Sequence, residues 1–184
     1  MSNSSNAEKT TSMQGVLIEL FGMGIIMTGE SSIGKSECGL ELITRGHRLV
    51  ADDSVDIIKT SGDTLYGKCP DVTKYFMEIR GIGVVNVRNL FGRDAVSDGV
   101  SIDIIADLVR WEDWADTDRL GSEERYCSIL GVDVPMVRLP IRSGGNMATV
   151  IEMVARNHIL KREGYNASME LIKKVSDKIK RTEK

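Results

Sequence analysis

The chain has 184 residues, 41% of them hydrophobic and 28% charged, which suits a single globular domain large enough to bury its own core. Its net charge of −3 argues against a general nucleic-acid binder. Only two histidines and three scattered cysteines, Cys38, Cys69 and Cys127, leave no basis for a His-rich metal site, a zinc ribbon or a disulfide framework.

In chain order, the polar segment 1–12, rich in Ser, Asn and Thr, reads as a disordered leader, with one domain over 13–184. It lacks the apolar run of a signal peptide, and no apolar stretch reaches membrane-spanning length, so a cytoplasmic protein with no membrane partner is expected. Gly15 to Phe21 and Gly24 to Thr28 are short apolar runs punctuated by glycine, the pattern of buried strands. From Lys35 to Arg45 the period becomes helical. Glu37, Glu41 and Arg45 fall on an outer face, Cys38, Leu42 and Ile43 face inward, and Gly46 stands where a left-handed cap ends the helix.

Arg48 to Ala51 reads as a strand that stops at Asp52-Asp53. Val55 to Ile58 alternates and pairs with Thr64 to Gly67 across a turn at Ser61-Gly62-Asp63. Gly81 to Val87, Val100 to Val109 and Val134 to Pro140 read as further extended segments. The C-terminal part reads as two helices. One carries Val150, Val154 and His158 beside Ile151, Ala155 and Ile159, with His158 as a core or boundary residue. The other carries Met169, Ile172, Val175 and Ile179 under a lysine-rich face. From Lys173 to Lys184 six basic residues face two acidic ones, a local +4 that leaves −7 for the rest. Such a tail is a solvated helix face or a dock for an acidic partner. The class is α/β.

Chemistry enters at Gly29-Glu30-Ser31-Ser32-Ile33-Gly34-Lys35-Ser36, which satisfies G-x-x-x-x-G-K-[ST] between a strand and a helix. The glycines let backbone N–H groups wrap phosphate oxygens at the helix N-terminus. Lys35 is placed to neutralise the β/γ-phosphates and Ser36 to hold Mg²⁺. Asp52 and Asp53, at the carboxyl end of a strand, offer a metal-linked carboxylate and a base for an incoming hydroxyl. Mutual repulsion is expected to raise one of their pKa values. The bland alternative for this pair is a turn or helix cap. Glu78 offers a further Mg²⁺ contact and Arg80 a phosphate fork, unless they form a surface ion pair. Arg119, before Gly121, suits charge stabilisation in phosphoryl transfer or a loop salt bridge. Ser143 to Asn146 is a flexible loop.

Four blocks in order resemble the catalytic domain of bacterial HPr kinase/phosphorylase, over about Ser12 to Ala167. They are Gly29 to Glu37; Gly46 to Asp53; Met77 to Gly83 followed by Asn86 and Asn89 to Gly92; and Asp118 to Gly121. The resemblance implies a P-loop nucleotide domain of the phosphoenolpyruvate carboxykinase type, with a mixed sheet and flanking helices, assembled as a homohexamer. It implies phosphorylation of a serine of the phosphocarrier HPr by ATP or pyrophosphate with Mg²⁺, and phosphorolysis of the seryl phosphate. On matching positions it makes Lys35 the phosphate-loop lysine, Ser36 and Glu78 the metal contacts, Asp53 the acid/base and Arg119 the catalytic arginine. Asp52 counts with these among the catalytic residues, and Arg80, Gly81, Asn86, Arg142 and Asn146 stand in supporting positions.

Three departures qualify this. Gln14 stands at the family's catalytic histidine position, Gly145 replaces a usual basic residue, and Glu30-Ser31-Ser32 replaces Asp-Ser-Gly. Glutamine can hydrogen-bond a phosphate but carries no charge and relays no proton near neutrality. The family's amino-terminal domain is expected to be absent. The alternatives are a nucleotide-binding regulatory module with reduced catalysis, or a kinase for another hydroxyl substrate.

Overall fold

The computed structural model describes residues 9–60, 62–114, 123–142 and 145–182. Its frame is a mixed sheet with flanking helices. The strands are β1 (Thr10–Gln14), β2 (Val16–Leu20), β3 (Met23–Gly29), β4 (Arg48–Ala51), β5 (Ser54–Lys59), β6 (Leu65–Lys68), β9 (Val100–Arg110), β10 (Arg125–Ile129) and β11 (Val132–Ile141). A separate hairpin pairs β7 (Phe76–Ile79) with β8 (Gly83–Asn86). The helices are α1 (Lys35–Thr44), the short α2 (Val87–Phe91), α3 (Met147–Arg162) and α4 (Ala167–Thr182). Strand order is β1-β5-β6-β9-β3-β2-β4, and the β10–β11 hairpin joins through β11 to β9.

The alternation along β2, β3 and β9 explains their nearly continuous apolar sequences. Val16, Ile18, Leu20, Ile25, Met27, Ile104 and Leu108 pack on one side with Leu42 of α1 and Ile151 of α3. The intervening Leu17, Ile26 and Ile105 pack on the other side with residues of β5, β6, β10 and β11. A strand covered on both faces has no polar side to show, which is why these runs lack the hydrophobic–polar alternation of a half-exposed strand. Burial also marks Cys38 on α1 as a packing residue, because desolvation pushes its thiol up to about 12.

Several expected boundaries move. Thr10, Thr11 and Ser12, assigned from sequence to the leader, pair with Ile58, Ile57 and Asp56 as part of β1. The strand expected from Gly81 begins at Gly83, because Arg80-Gly81-Ile82 forms the turn back from β7, closed by the Ile82 N–H donating to Ile79 O at 3.0 Å. On α3, Ile151 and Ala155 are buried as expected, but Val150 is exposed. His158 is half-buried, and desolvation lowers its pKa. The expected apolar stripe of α4 is exposed along Met169, Ile172, Val175 and Ile179. Among the described residues no helix is long and apolar enough to cross a membrane.

The helix after the loop ends in a Schellman turn. Gly46 adopts φ 92°, its N–H donates to Ile43 O at 3.0 Å, and the His47 N–H donates to Leu42 O at 3.1 Å. That turn aims His47 at α3, where its Nε2 lies 2.8 Å from Glu152 Oε1. Arg45 donates to the other Glu152 oxygen at 2.9 Å and to Thr149 Oγ1 at 3.0 Å. These contacts tie the helix that leaves the phosphate loop to α3. His47 first, then Arg45, holds the Glu152 carboxyl below its ordinary value of 4.5. A carboxylate with a lowered folded-state pKa stabilises the fold above the unfolded value, and the contribution disappears as pH falls through the folded value. Glu152→Gln should therefore reduce stability at neutral pH, and its deficit against the wild type should shrink on acidification below 4.5. Urea denaturation across that range checks this, and a deficit independent of pH would contradict it.

Candidate functional site

The loop from Gly29 to Gly34, which carries the phosphate-loop motif, is set by the end of β3. Gly29 pairs with Leu108 of the parallel strand β9 and has φ 131°, and a Cβ there would lie 2.4 Å from Leu108 O. The chain can make this turn against β9 only without a side chain. Gly34, at φ 101°, caps α1 without a side-chain acceptor, so no capping oxygen occupies the first N–H groups of the helix. Lys35 Nζ donates to the carbonyls of Gly29 at 2.9 Å and Glu30 at 2.8 Å, folding its charge over the loop. Glu30 turns away and pairs with Arg110 at 2.9 Å, while Ile33 packs against the core.

Opposite the loop, β4 delivers Asp52. Its carboxylate is buried, with Oδ1 accepting from Ser36 Oγ at 2.9 Å and Oδ2 from the Glu78 N–H at 3.1 Å. Its pKa is raised. The largest cause is desolvation; the two hydrogen bonds oppose it and the Asp53 charge adds less. The sequence-level expectation that one aspartate of the pair is shifted is met by Asp52, but repulsion by its neighbour is a minor cause beside burial.

Asp53 is exposed and adopts φ 69°, an uncommon conformation for a residue with a side chain. Its carbonyl accepts from the Gly15 N–H at 3.0 Å, which ties the Asp52-Asp53 turn to the Gln14-Gly15 connection. A turn is thus present, and it places Asp53 on the same cleft wall as the Gly29 to Ser36 loop.

One cleft of about 300 Å³ is lined by the phosphate loop with Lys35 and Ser36, and by Asp52, Asp53, Glu78, Arg80 and Gln14. Residues from β1, the β3–α1 loop, the end of β4 and the β7–β8 hairpin therefore meet at one place. Ser36, Asp52 and Glu78 provide only hydroxyl and carboxylate oxygens, the donor chemistry that Mg²⁺ prefers. Other expected site residues lie elsewhere. Gly81 is in the β7–β8 turn. Asn86 caps α2 by accepting from the Asn89 N–H at 3.0 Å, and Asn146 caps α3 by accepting from the Thr149 N–H at 2.9 Å. Asn146 also accepts from Arg45 at 3.0 Å. Arg142 lies over the Trp111 ring, its guanidinium carbon 3.3 Å from the centroid. Arg119, like Asp118, Leu120, Gly121, Ser143 and Gly144, lies outside the described residues. Trp111, which follows β9, has no motif to mark it in the sequence.

Alanine at Gly29 adds a steric clash to a positive φ, whereas at Gly34 it meets no atom within 4 Å and adds only the strained φ. Both substitutions should cost stability, each by about 1 kcal/mol or more, with Gly29→Ala the more damaging. Thermal unfolding of the two variants gives the order, and the reverse order would contradict the close packing of loop and β9.

The HPr Serine kinase C-terminal domain model matches residues 5–175. The HPr kinase/phosphorylase of Lachnoclostridium phytofermentans is 48% identical over 168 residues, which cover 91% of this chain and 54% of that protein. The protein of the same name from Bacillus velezensis is 45% identical over 170 residues, covering 92% of this chain and 55% of its own length. The chain thus spans about half the length of these curated relatives. Among solved structures, the Hpr(Ser) kinase/phosphatase from Coxiella burnetii superposes with a TM-score of 0.79 at 40% identity, covering 88% of this chain and 98% of that one. On the family match and these identities, the chain belongs to the HPr serine kinase C-terminal domain family.

Proposed function

We propose that this chain is the catalytic unit of a protein serine kinase that transfers a phosphoryl group from ATP or pyrophosphate to HPr, and that also phosphorolyses the seryl phosphate. The observation that carries the reading is the meeting of Lys35, Ser36, Asp52, Asp53 and Glu78 in one cleft around the phosphate loop. Names of relatives across the family support the choice of substrate.

In the forward direction, Lys35 and the loop N–H groups hold the donor phosphates. Asp53, exposed beside them, accepts the proton of the attacking serine hydroxyl. Ser36 and Glu78 would hold Mg²⁺, with Asp52 orienting the Ser36 hydroxyl, and the ion would neutralise charge on the phosphates. In reverse, inorganic phosphate attacks the seryl phosphate, the serine oxygen leaves with a proton returned by Asp53, and pyrophosphate is the product. Arg119 serves as the charge-stabilising arginine on the family resemblance. Gln14 lines the cleft and hydrogen-bonds phosphate without adding charge, and Gly145 supplies none, so the reverse reaction, with two anionic reactants, is the weaker one.

The same reading takes the nucleotide fold as the phosphoenolpyruvate carboxykinase type, the location as cytoplasm and the assembly as a homohexamer. Free thiols at Cys38, Cys69 and Cys127 suit a reducing compartment. The exposed apolar stripe of α4 is a surface that self-assembly would cover.

Incubation with purified HPr, Mg²⁺ and either ATP or pyrophosphate should add one phosphoryl group to HPr, read by intact mass; unmodified HPr would sink the proposal. Asp53→Asn should slow that transfer by about 10²- to 10⁴-fold while nucleotide still binds. Gln14→His should raise turnover, most in the phosphorolysis direction; equal rates in both directions before and after substitution would show that position 14 is not limiting.

A further inference from the structure

A second cavity, of about 360 Å³, adjoins the phosphate cleft, and the two share Ser32 on their walls. Its position follows from the sheet. Strands β3, β9 and β11 run parallel, with Gly29 beside Leu108 and Arg110 beside Ile141. All three carboxyl ends therefore emerge together, where open α/β sheets bind ligands. Strand β3 continues into the phosphate loop, β9 into Trp111 and β11 into Arg142.

Trp111 is 42% exposed, and the Arg142 guanidinium carbon lies 3.3 Å from its ring centroid. Arg110 is held aside by its ion pair with Glu30 of the loop. The result is a layered pair of planar groups, indole and guanidinium, beside the place where the donor phosphates sit. Both groups stack on nucleobases, because each presents a flat, polarisable face.

We propose that this cavity holds the purine base of the nucleotide donor, stacked on the Trp111–Arg142 pair, with the sugar and phosphates passing over Ser32 into the phosphate cleft. The proposal rests on reading Gly29 to Ser36 as a phosphate loop. It gives the two donors different footprints: a nucleotide spans both cavities, whereas pyrophosphate, which has no base, occupies only the first. Trp111 is then a residue that distinguishes donors.

Isothermal titration calorimetry with ADP and with pyrophosphate, each with Mg²⁺, tests this on the wild type, Trp111→Ala and Trp111→Phe. Trp111→Ala should raise the Kd for ADP about tenfold and leave that for pyrophosphate within about twofold. Trp111→Phe, which keeps a ring for stacking, should retain most of the ADP affinity. Unchanged ADP affinity in Trp111→Ala overturns the proposal. So does an equal loss for both ligands, which would make Trp111 a support for the loop. A wild type that binds pyrophosphate but not ADP removes the base site and leaves the phosphate loop standing. A wild type that binds neither refutes the phosphate loop, and the base site with it.

Discussion

The Asp52 carboxylate is the junction on which the site depends. One oxygen holds the Ser36 hydroxyl at the start of α1 and the other holds the backbone N–H of Glu78 on β7. The phosphate loop, the end of β4 and a hairpin outside the main sheet are thereby referenced to a single buried group. Burial of that carboxylate costs desolvation, and the two hydrogen bonds offset part of the cost. Removing it would leave a hydroxyl and an amide without their partner, and Glu78 without its anchor.

A second constraint is the double burial of β3 and β9. Because both faces of these strands are packed, their ends cannot shift far without opening two cores. The Gly29 turn, which sits against the Leu108 carbonyl, inherits that rigidity. The tie from Arg45 and His47 to Glu152 extends the same rigidity through α1 to α3. Asp53, Glu78, Arg80 and Gln14, by contrast, all reach solvent at the cleft.

The balance of charge around the cleft follows from which cations are committed. Lys35 is folded over the loop carbonyls, Arg110 is paired with Glu30, and Arg142 is stacked on Trp111. With glutamine at position 14, the described wall of the cleft offers its cationic side chains from Lys35 and Arg80 against Asp52, Asp53, Glu37 and Glu78. The side chains that line the described cleft thus carry more negative than positive charge.

The sequence by itself determined the glycine-bounded loop at Gly29 to Gly34, the helix after it, most sheet strands and the acidic pair at the end of β4. Each rests on a local rule: glycine spacing, helical or strand periodicity, and a strand end rich in carboxylates. The four-residue strand β7 escaped it because so short a segment shows little periodicity, and β10 because only Ile129 along it is buried. Tertiary structure alone decided that Asn86 and Asn146 cap helices, that burial rather than Asp53 dominates the shift of Asp52, and that Trp111 meets Arg142. Those outcomes depend on where segments distant in sequence come to rest. Spacing carries chemistry over a turn or two of chain, whereas desolvation and stacking are set by neighbours that only the packed sheet brings together.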